Sequence, residues 1–234
     1  MIQTRSFINS NKVVMLIIGF CSVAMAQKEI NIGIEAGLSF NKYRVKLIDA
    51  WDNDMLFKTG VITGFTLELN KSKVVAFDMG VKYCMRGARE KTIITDYPFI
   101  GNSYETNTYM HFNYLSIPFH IKCKYPNELL VPYALFGINN GIFLYGKSIV
   151  KETNGGSNPY VETPIDNIKI FDFGYDIGIG LEAKLKKYSL FVELVYYDGL
   201  INISKETHNW DGVEYGMCKN RGVDIKTGIK FKKR

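Results

Sequence analysis

Beyond its first 26 positions the sequence has no apolar run of the roughly 18 residues that a membrane-spanning helix needs, which excludes such a helix there. Cysteine is scarce, four in 234 residues, and none of it is spaced as Cys-x-x-Cys. Cys84, Cys123 and Cys218 are odd in number and irregularly placed, so neither a disulfide framework nor a thiolate metal centre is expected. Free thiols are the expected state. Histidine is rarer still: His111, His120 and His208, with no His-x-x-x-His. Gly-x-Ser-x-Gly is absent, and the glycines recur at strand period, so they make no phosphate-cradling loop. No cofactor and no bound metal are expected. The basic excess, +6, is small and spread along the chain, which speaks against a nucleic-acid partner. Helix-period segments, low-complexity tracts and a second domain are also missing.

The start of the chain reads as a secretory leader. Arg5 and Lys12 form a basic region, Val13–Phe20 is a short apolar stretch, and Ala24-Met25-Ala26 is a small-x-small cleavage site. Residues 1–26 are therefore expected to be a signal peptide cleaved after Ala26, and residues 27–234 one domain. Removing Arg5 and Lys12 lowers the formal charge from +6 to +4.

What the remainder has is alternation. Ile32, Ile34, Ala36, Leu38 and Phe40 share one parity; Gly33, Glu35, Gly37 and Ser39 share the other. A period of two over this length makes a strand with two chemically different faces. Val61–Leu69, Val75–Arg86, Phe171–Leu185 and Val223–Phe231 repeat the pattern. Three further segments, near Tyr109–Lys124, Leu130–Tyr145 and Tyr188–Ile201, are less clean, and the second carries bulky residues on both faces so that its parity stays open. Eight strands result, each long enough to cross a membrane at a tilt. Connections after the odd strands are long and polar (Asn41–Phe57, Glu90–Thr108, Gly146–Asn167, Asn202–Lys219). Those after the even strands are short turns near Asn70-Lys71-Ser72, Pro126-Asn127-Glu128 and Lys186-Lys187. This predicts an all-β fold, an eight-stranded antiparallel up-and-down transmembrane β-barrel, with short turns and both termini periplasmic and long loops extracellular.

The polar parity combines glycine with charges of both signs, which suits the crowded bore of a narrow barrel. Its expected lumen network is Glu35, Glu68, Asp78, Lys82, Arg86, His120, Lys122, Asp172, Asp176, Glu182, Lys184, Asp224 and Lys226. The expected lipid-facing set is Ile34, Leu38, Phe65, Leu67, Phe77, Val81, Ile117, Phe119, Tyr175, Ile177, Ile179, Ile225 and Ile229, with aromatics at strand ends (Phe40, Phe57, Tyr83, Tyr196, Phe231) at headgroup level. A lipocalin-like soluble barrel shares the alternation, but no C-terminal amphipathic helix follows the last strand.

Several segments resemble a known family. Tyr114-Leu115-Ser116-Ile117-Pro118-Phe119, Lys122 and Pro132-Tyr133-Ala134-Leu135-Phe136-Gly137 are similar to the central strands of Bacteroidota-type outer-membrane β-barrel proteins, the PorT-like or "porin family" barrel domain. Gly33–Phe40 resembles that family's first strand, Phe173–Glu182 its glycine-rich strand, Tyr196–Ile203 its Tyr-x-x-Gly-Leu-x-Asn-Ile segment, and Lys219-Asn220-Arg221-Gly222 the start of its last strand. The resemblance implies an outer-membrane location in the cell envelope. One branch of the family resembles accessory parts of the type IX secretion pathway.

No catalytic residues are expected. Ser116 and His120 share a strand face but stand about 13 Å apart along it, too far for a nucleophile and its base. The expected function is non-enzymatic: envelope structure, adhesion or assembly through the extracellular loops. The alternatives are an accessory subunit of a secretion (type IX-like) or uptake machine, a narrow channel, and an outer-leaflet enzyme. Expected partners are outer-membrane lipid and lipopolysaccharide, the barrel-assembly machinery during biogenesis, and an envelope protein meeting the long loops.

Overall fold

The computed structural model describes residues 29–47, 56–95, 103–152, 161–205, 209–210 and 213–233. The expected leader and the Asn154–Pro159 loop tip lie outside the described residues. Among the described residues ten strands follow in order: β1 Glu29–Leu47, β2 Lys58–Asn70, β3 Val75–Thr95, β4 Ser103–Lys124, β5 Leu130–Glu152, β6 Val161–Pro164, β7 Phe171–Lys184, β8 Tyr188–Gly199, β9 Asn209–Trp210 and β10 Val213–Lys233. Eight of them form a ring, β1-β2-β3-β4-β5-β7-β8-β10, which β10 closes by pairing with β1. Every pairing is antiparallel. The two short strands sit outside the ring, β6 on β5 and β9 on β10.

The register fixes the barrel's shape. Stepping between paired residues from Ile32 through Leu67, Met79, Phe119, Ile138, Tyr175, Asp198 and Arg221 returns to β1 at Lys42, ten residues beyond the start. With eight strands, that stagger corresponds to a tilt of about 40° and a bore just wide enough for side chains to fill.

Alternation decides which side chains enter the bore. On β1, Asn31, Glu35, Ser39 and Asn41 are buried, while Ile32, Ile34 and Leu38 are exposed. The arrangement inverts that of a water-soluble domain: charges line the inside and aliphatic side chains cover the outside.

Two features differ from the sequence expectation. The strands run further into the polar connections than the apolar pattern reaches, to Leu47 on β1, Thr95 on β3 and Glu152 on β5. Beyond the apolar belt the outward positions turn polar, as at Lys42 and Arg44, while inward ones such as Tyr43 and Ala88 are apolar, so the chain keeps its ladder hydrogen bonds without the alternation that marks the belt. On β5, Val131, Tyr133 and Leu135 point inward and Pro132, Ala134, Phe136 and Ile138 outward. Opposite the Asn113/Tyr114 step the register slips by one residue, because Asn113 pairs with Tyr145 and Tyr114 with Phe143. The bulge leaves Leu144 unpaired and shifts the phase of the strand.

Candidate functional site

The bore holds a continuous polar network. At the short-turn end Glu68 is fully buried. Its carboxylate meets the ammonium groups of Lys124, Lys230 (2.5 Å) and Lys122 (3.7 Å). Glu182 shares two of these lysines, at 3.4 Å from Lys124 and 3.2 Å from Lys230. In the middle, Glu193 accepts from Lys122 (2.7 Å) and the Tyr133 hydroxyl (2.8 Å) and pairs with Lys226 (2.8 Å). Glu35 meets Lys82 at 2.6 Å and Lys226 at 3.6 Å. His120 lies between two carboxylates, Nε2 at 2.7 Å from Asp176 and Nδ1 at 3.6 Å from Asp78. Asp78 also accepts from the Thr66 hydroxyl at 2.7 Å and pairs with Lys122 at 3.3 Å.

Towards the other end the network becomes aromatic. Arg86 donates to Asp172 at 2.8 Å, with its guanidinium 3.7 Å from the centre of the Tyr197 ring. Asn220 donates to the same carboxylate at 2.8 Å and to the Tyr114 hydroxyl at 3.2 Å. Ser39 donates to Asp224. Above this layer sits an apolar plug of Tyr43, Ala88, Phe112, Tyr114, Ile168 and Ile203. Ile168 and Ile203 are not strand residues. Their two segments fold in over the bore and are fastened by Lys169 N–H to Ile203 C=O (2.7 Å) and Ile203 N–H to Cys218 C=O (2.9 Å). The short-turn end stays open as a cup of about 770 Å³ that includes Asn31, Asn70, Lys124, Glu182, Lys184 and Lys232 in its wall.

Glu35, Glu68, Asp78, Lys82, Arg86, His120, Lys122, Asp172, Asp176, Glu182, Asp224 and Lys226 are all buried on the inner face. Lys184 departs from the expectation. It is half-buried in the cup wall, outside the network, because it is the last residue of β7, where the ring gives way to water. Of the outward set, Ile34, Leu38, Phe65, Val81, Ile177, Ile179 and Ile225 are exposed. Leu67, Phe77, Ile117, Phe119, Tyr175 and Ile229 are half-buried. Sequence reasoning left out of the network Glu193, Lys124 and Lys230, the last of them although the alternation puts it on the polar parity; all three are among the residues most engaged in ion pairs. Glu193 is the single charge on an inward row that otherwise reads Ser189, Phe191, Val195 and Tyr197, so only ring closure shows the lysines that meet it.

The Ser116 hydroxyl donates to Asn139 at 2.6 Å, and Asn139 in turn donates to Asp176 at 2.9 Å. Ser116 and His120 therefore belong to one buried relay in which each is oriented by other partners. Cys84, Cys123 and Cys218 are free thiols, buried, exposed and half-buried in turn.

Residues 25–205 match the family described as outer membrane protein beta-barrel domain. No curated protein matches the sequence. Similar solved structures include Neisserial surface protein A (11% identity, TM-score 0.44, covering 86% of this chain and 96% of that one). Ail, the attachment invasion locus protein of Yersinia pestis, is 14% identical with a TM-score of 0.33, covering 87% of this chain and 100% of that one. The outer membrane protease OmpT of Escherichia coli is 10% identical with a TM-score of 0.40, covering 88% and 97%.

Proposed function

From the premise that the chain belongs to the outer membrane protein beta-barrel domain family, we propose that it is a closed, non-conducting and non-enzymatic barrel that serves the cell envelope through the surface it displays at its long-loop end. In this reading the leader is removed after Ala26, and the cup, the short turns and both termini face the periplasm. Lipid hydrocarbon covers Ile34, Leu38, Phe65, Val81, Ile177 and Ile225. The ordered motifs from Gly33 to Gly222 support a PorT-like, Bacteroidota-type branch of the family. The sheet formed by β3, β4, β5 and β6 beyond the belt supplies the surface for adhesion or for an envelope partner.

One observation carries the reading. Ion pairs fill the bore from Glu68 to Asp172, and Tyr43, Phe112, Ile168 and Ile203 stopper it above. A bore filled with fixed, paired charges has no room for a hydrated ion, and Ser116 and His120 are bonded to Asn139 and Asp176 rather than to each other. The chain reconstituted in planar bilayers is therefore expected to give no discrete conductance steps above the lipid background. Regular steps at neutral pH would overturn the closed-bore reading.

The lipid-covered exterior has its own test. Phe65, 66% exposed and central on β2, becomes a mid-membrane charge in Phe65→Arg. That change is expected to lower folding stability in bilayers by about 2–4 kcal/mol. A polar exterior would leave equilibrium denaturant titrations of the two proteins superimposed.

A further inference from the structure

On the outer face of β1 the apolar series Ile32, Ile34, Ala36, Leu38 and Phe40 is followed at the next two outward positions by Lys42 and Arg44. On β10 the series Phe231, Ile229, Thr227, Ile225 and Val223 is followed by Arg221 and Lys219. The closing register sets Lys42 directly opposite Arg221, and Arg44 directly opposite Lys219. Like charges facing each other across an antiparallel pair are destabilising, and here two such pairs are stacked. Asp198 of β8 is the acid beside them, at 3.5 Å from both Arg44 and Arg221, and it also accepts from the Tyr175 hydroxyl at 3.4 Å. Lys42 lies 5.2 Å from the centre of the Phe57 ring. Lys219 has no ion pair among the described residues. Among the described residues, two of the four cations pair with Asp198 and the two lysines with no acid.

Height decides what can answer them. The ten residues from Ile32 to Lys42 rise about 25 Å along the axis of a barrel tilted by about 40°. That rise matches the roughly 25 Å height of an outer-membrane apolar band, so the cations stand at headgroup level. Elsewhere near this end the exposed outward side chains include Phe57, Tyr145, Phe171 and Leu200, and the cations Arg89 and Lys147 have partners of their own in Asn107 and Glu162, so they are not stacked against like charge as the seam's are.

We propose that this seam binds one molecule of lipopolysaccharide by its phosphorylated lipid A headgroup, with Lys42, Arg44, Lys219 and Arg221 holding the phosphates and Ile34, Leu38 and Ile225 lying beneath the acyl chains. Two stacked cation pairs fit a headgroup bearing two phosphates, whereas a glycerophospholipid with one phosphate satisfies one pair. The seam then replaces the divalent cations that bridge neighbouring phosphates in such a leaflet. This proposal rests on the reading that the long-loop end faces outward.

The test uses the mature chain in detergent micelles, heated in steps and run unboiled on a gel that separates the compact barrel from the unfolded chain. Diphosphorylated lipid A at a hundredfold excess over its Kd is expected to raise the unfolding temperature by about 5–10 °C. Monophosphorylated lipid A should give a smaller rise and phosphatidylglycerol little. The quadruple variant Lys42→Ala, Arg44→Ala, Lys219→Ala, Arg221→Ala should stay compact and lose the shift. The milder Arg44→Ala, Lys219→Ala pair should lose at least half of it, which keeps the test decisive if the quadruple variant does not fold. An undiminished shift in either variant, or an equal shift with phosphatidylglycerol, overturns the proposal. Orientation is read separately by Lys205→Cys and a membrane-impermeant maleimide on intact cells. Labelling above the parent chain places this end outside; none above it overturns both the orientation and the choice of lipid A, whatever the micelles show.

Discussion

Glu68→Gln is expected to cost about 3–5 kcal/mol of folding stability, although it exchanges one oxygen for an amide nitrogen. Glu68 is fully buried, and the ammonium groups of Lys124, Lys230 and Lys122 converge on it. The substitution keeps the shape and removes the charge that offsets them. Glu182 remains near two of the three lysines, at 3.4 and 3.2 Å, and it cannot neutralise both. Lys230 is fully buried in a bore walled off by lipid and would be left sharing the Glu182 carboxylate with Lys124, and a broken buried pair is penalised for that under-compensated charge rather than for the lost bond alone.

The double variant Glu68→Gln, Lys230→Met separates the two causes. It deletes one charge of each sign, so the bore regains its balance, and it should recover more than half of the loss. Urea titrations of refolding in micelles supply the free energies for wild type, both single variants and the double variant. If Glu68→Gln unfolds within about 1 kcal/mol of wild type, the lysines are solvated and the ion pairs do not hold the bore together.

The same network shows where sequence reasoning reaches and where it stops. The inner face of β1, β3, β7 and β10 was legible because acid, base and glycine fall on one parity and aliphatics on the other. β5 was not, because Val131, Tyr133 and Leu135 are apolar although they face the bore. Tyr133 and Leu135 pack with Val195 in an apolar cluster of the bore, and the bulge at Leu144 then changes the strand's phase. The plug was hidden for another reason: Ile168 and Ile203 lie in segments whose neighbours are polar, and only the folding of those segments over the bore gives them partners. The basic seam was hidden by distance along the chain. Lys42 and Arg44 fall in what reads as a polar loop after the first apolar run, and nothing local indicates that Arg221 and Lys219 will face them. Pairing across a closed ring is a long-range property, and a period of two carries no information about it.

Gly87→Ala should be the most damaging single methyl group on β3, with an expected loss of about 3 kcal/mol or more. Gly87 has φ of 131°, a backbone conformation that side chains with a Cβ rarely adopt. A Cβ there would also overlap the Met110 carbonyl oxygen on β4 and lie 2.9 Å from its carbon, and backbone atoms in a closed ladder cannot step aside. The flanking residues extend the damage. Arg86 reaches Asp172, and Ala88 is part of the plug, so relief by shifting β3 pulls on the ion-pair network and on the apolar stopper together. Gly146→Ala is the matched control. Its Cβ would meet the Phe143 and Phe112 rings and the His111 carbonyl oxygen at 3.1–3.3 Å, a few tenths of an ångström too close, without a positive φ. Refolding yield and urea midpoint in micelles should fall sharply for Gly87→Ala and by less than about 1 kcal/mol equivalent for Gly146→Ala. Equal effects would mean that β3 can relax at residue 87 and that the register there is not what locks the bore to its plug.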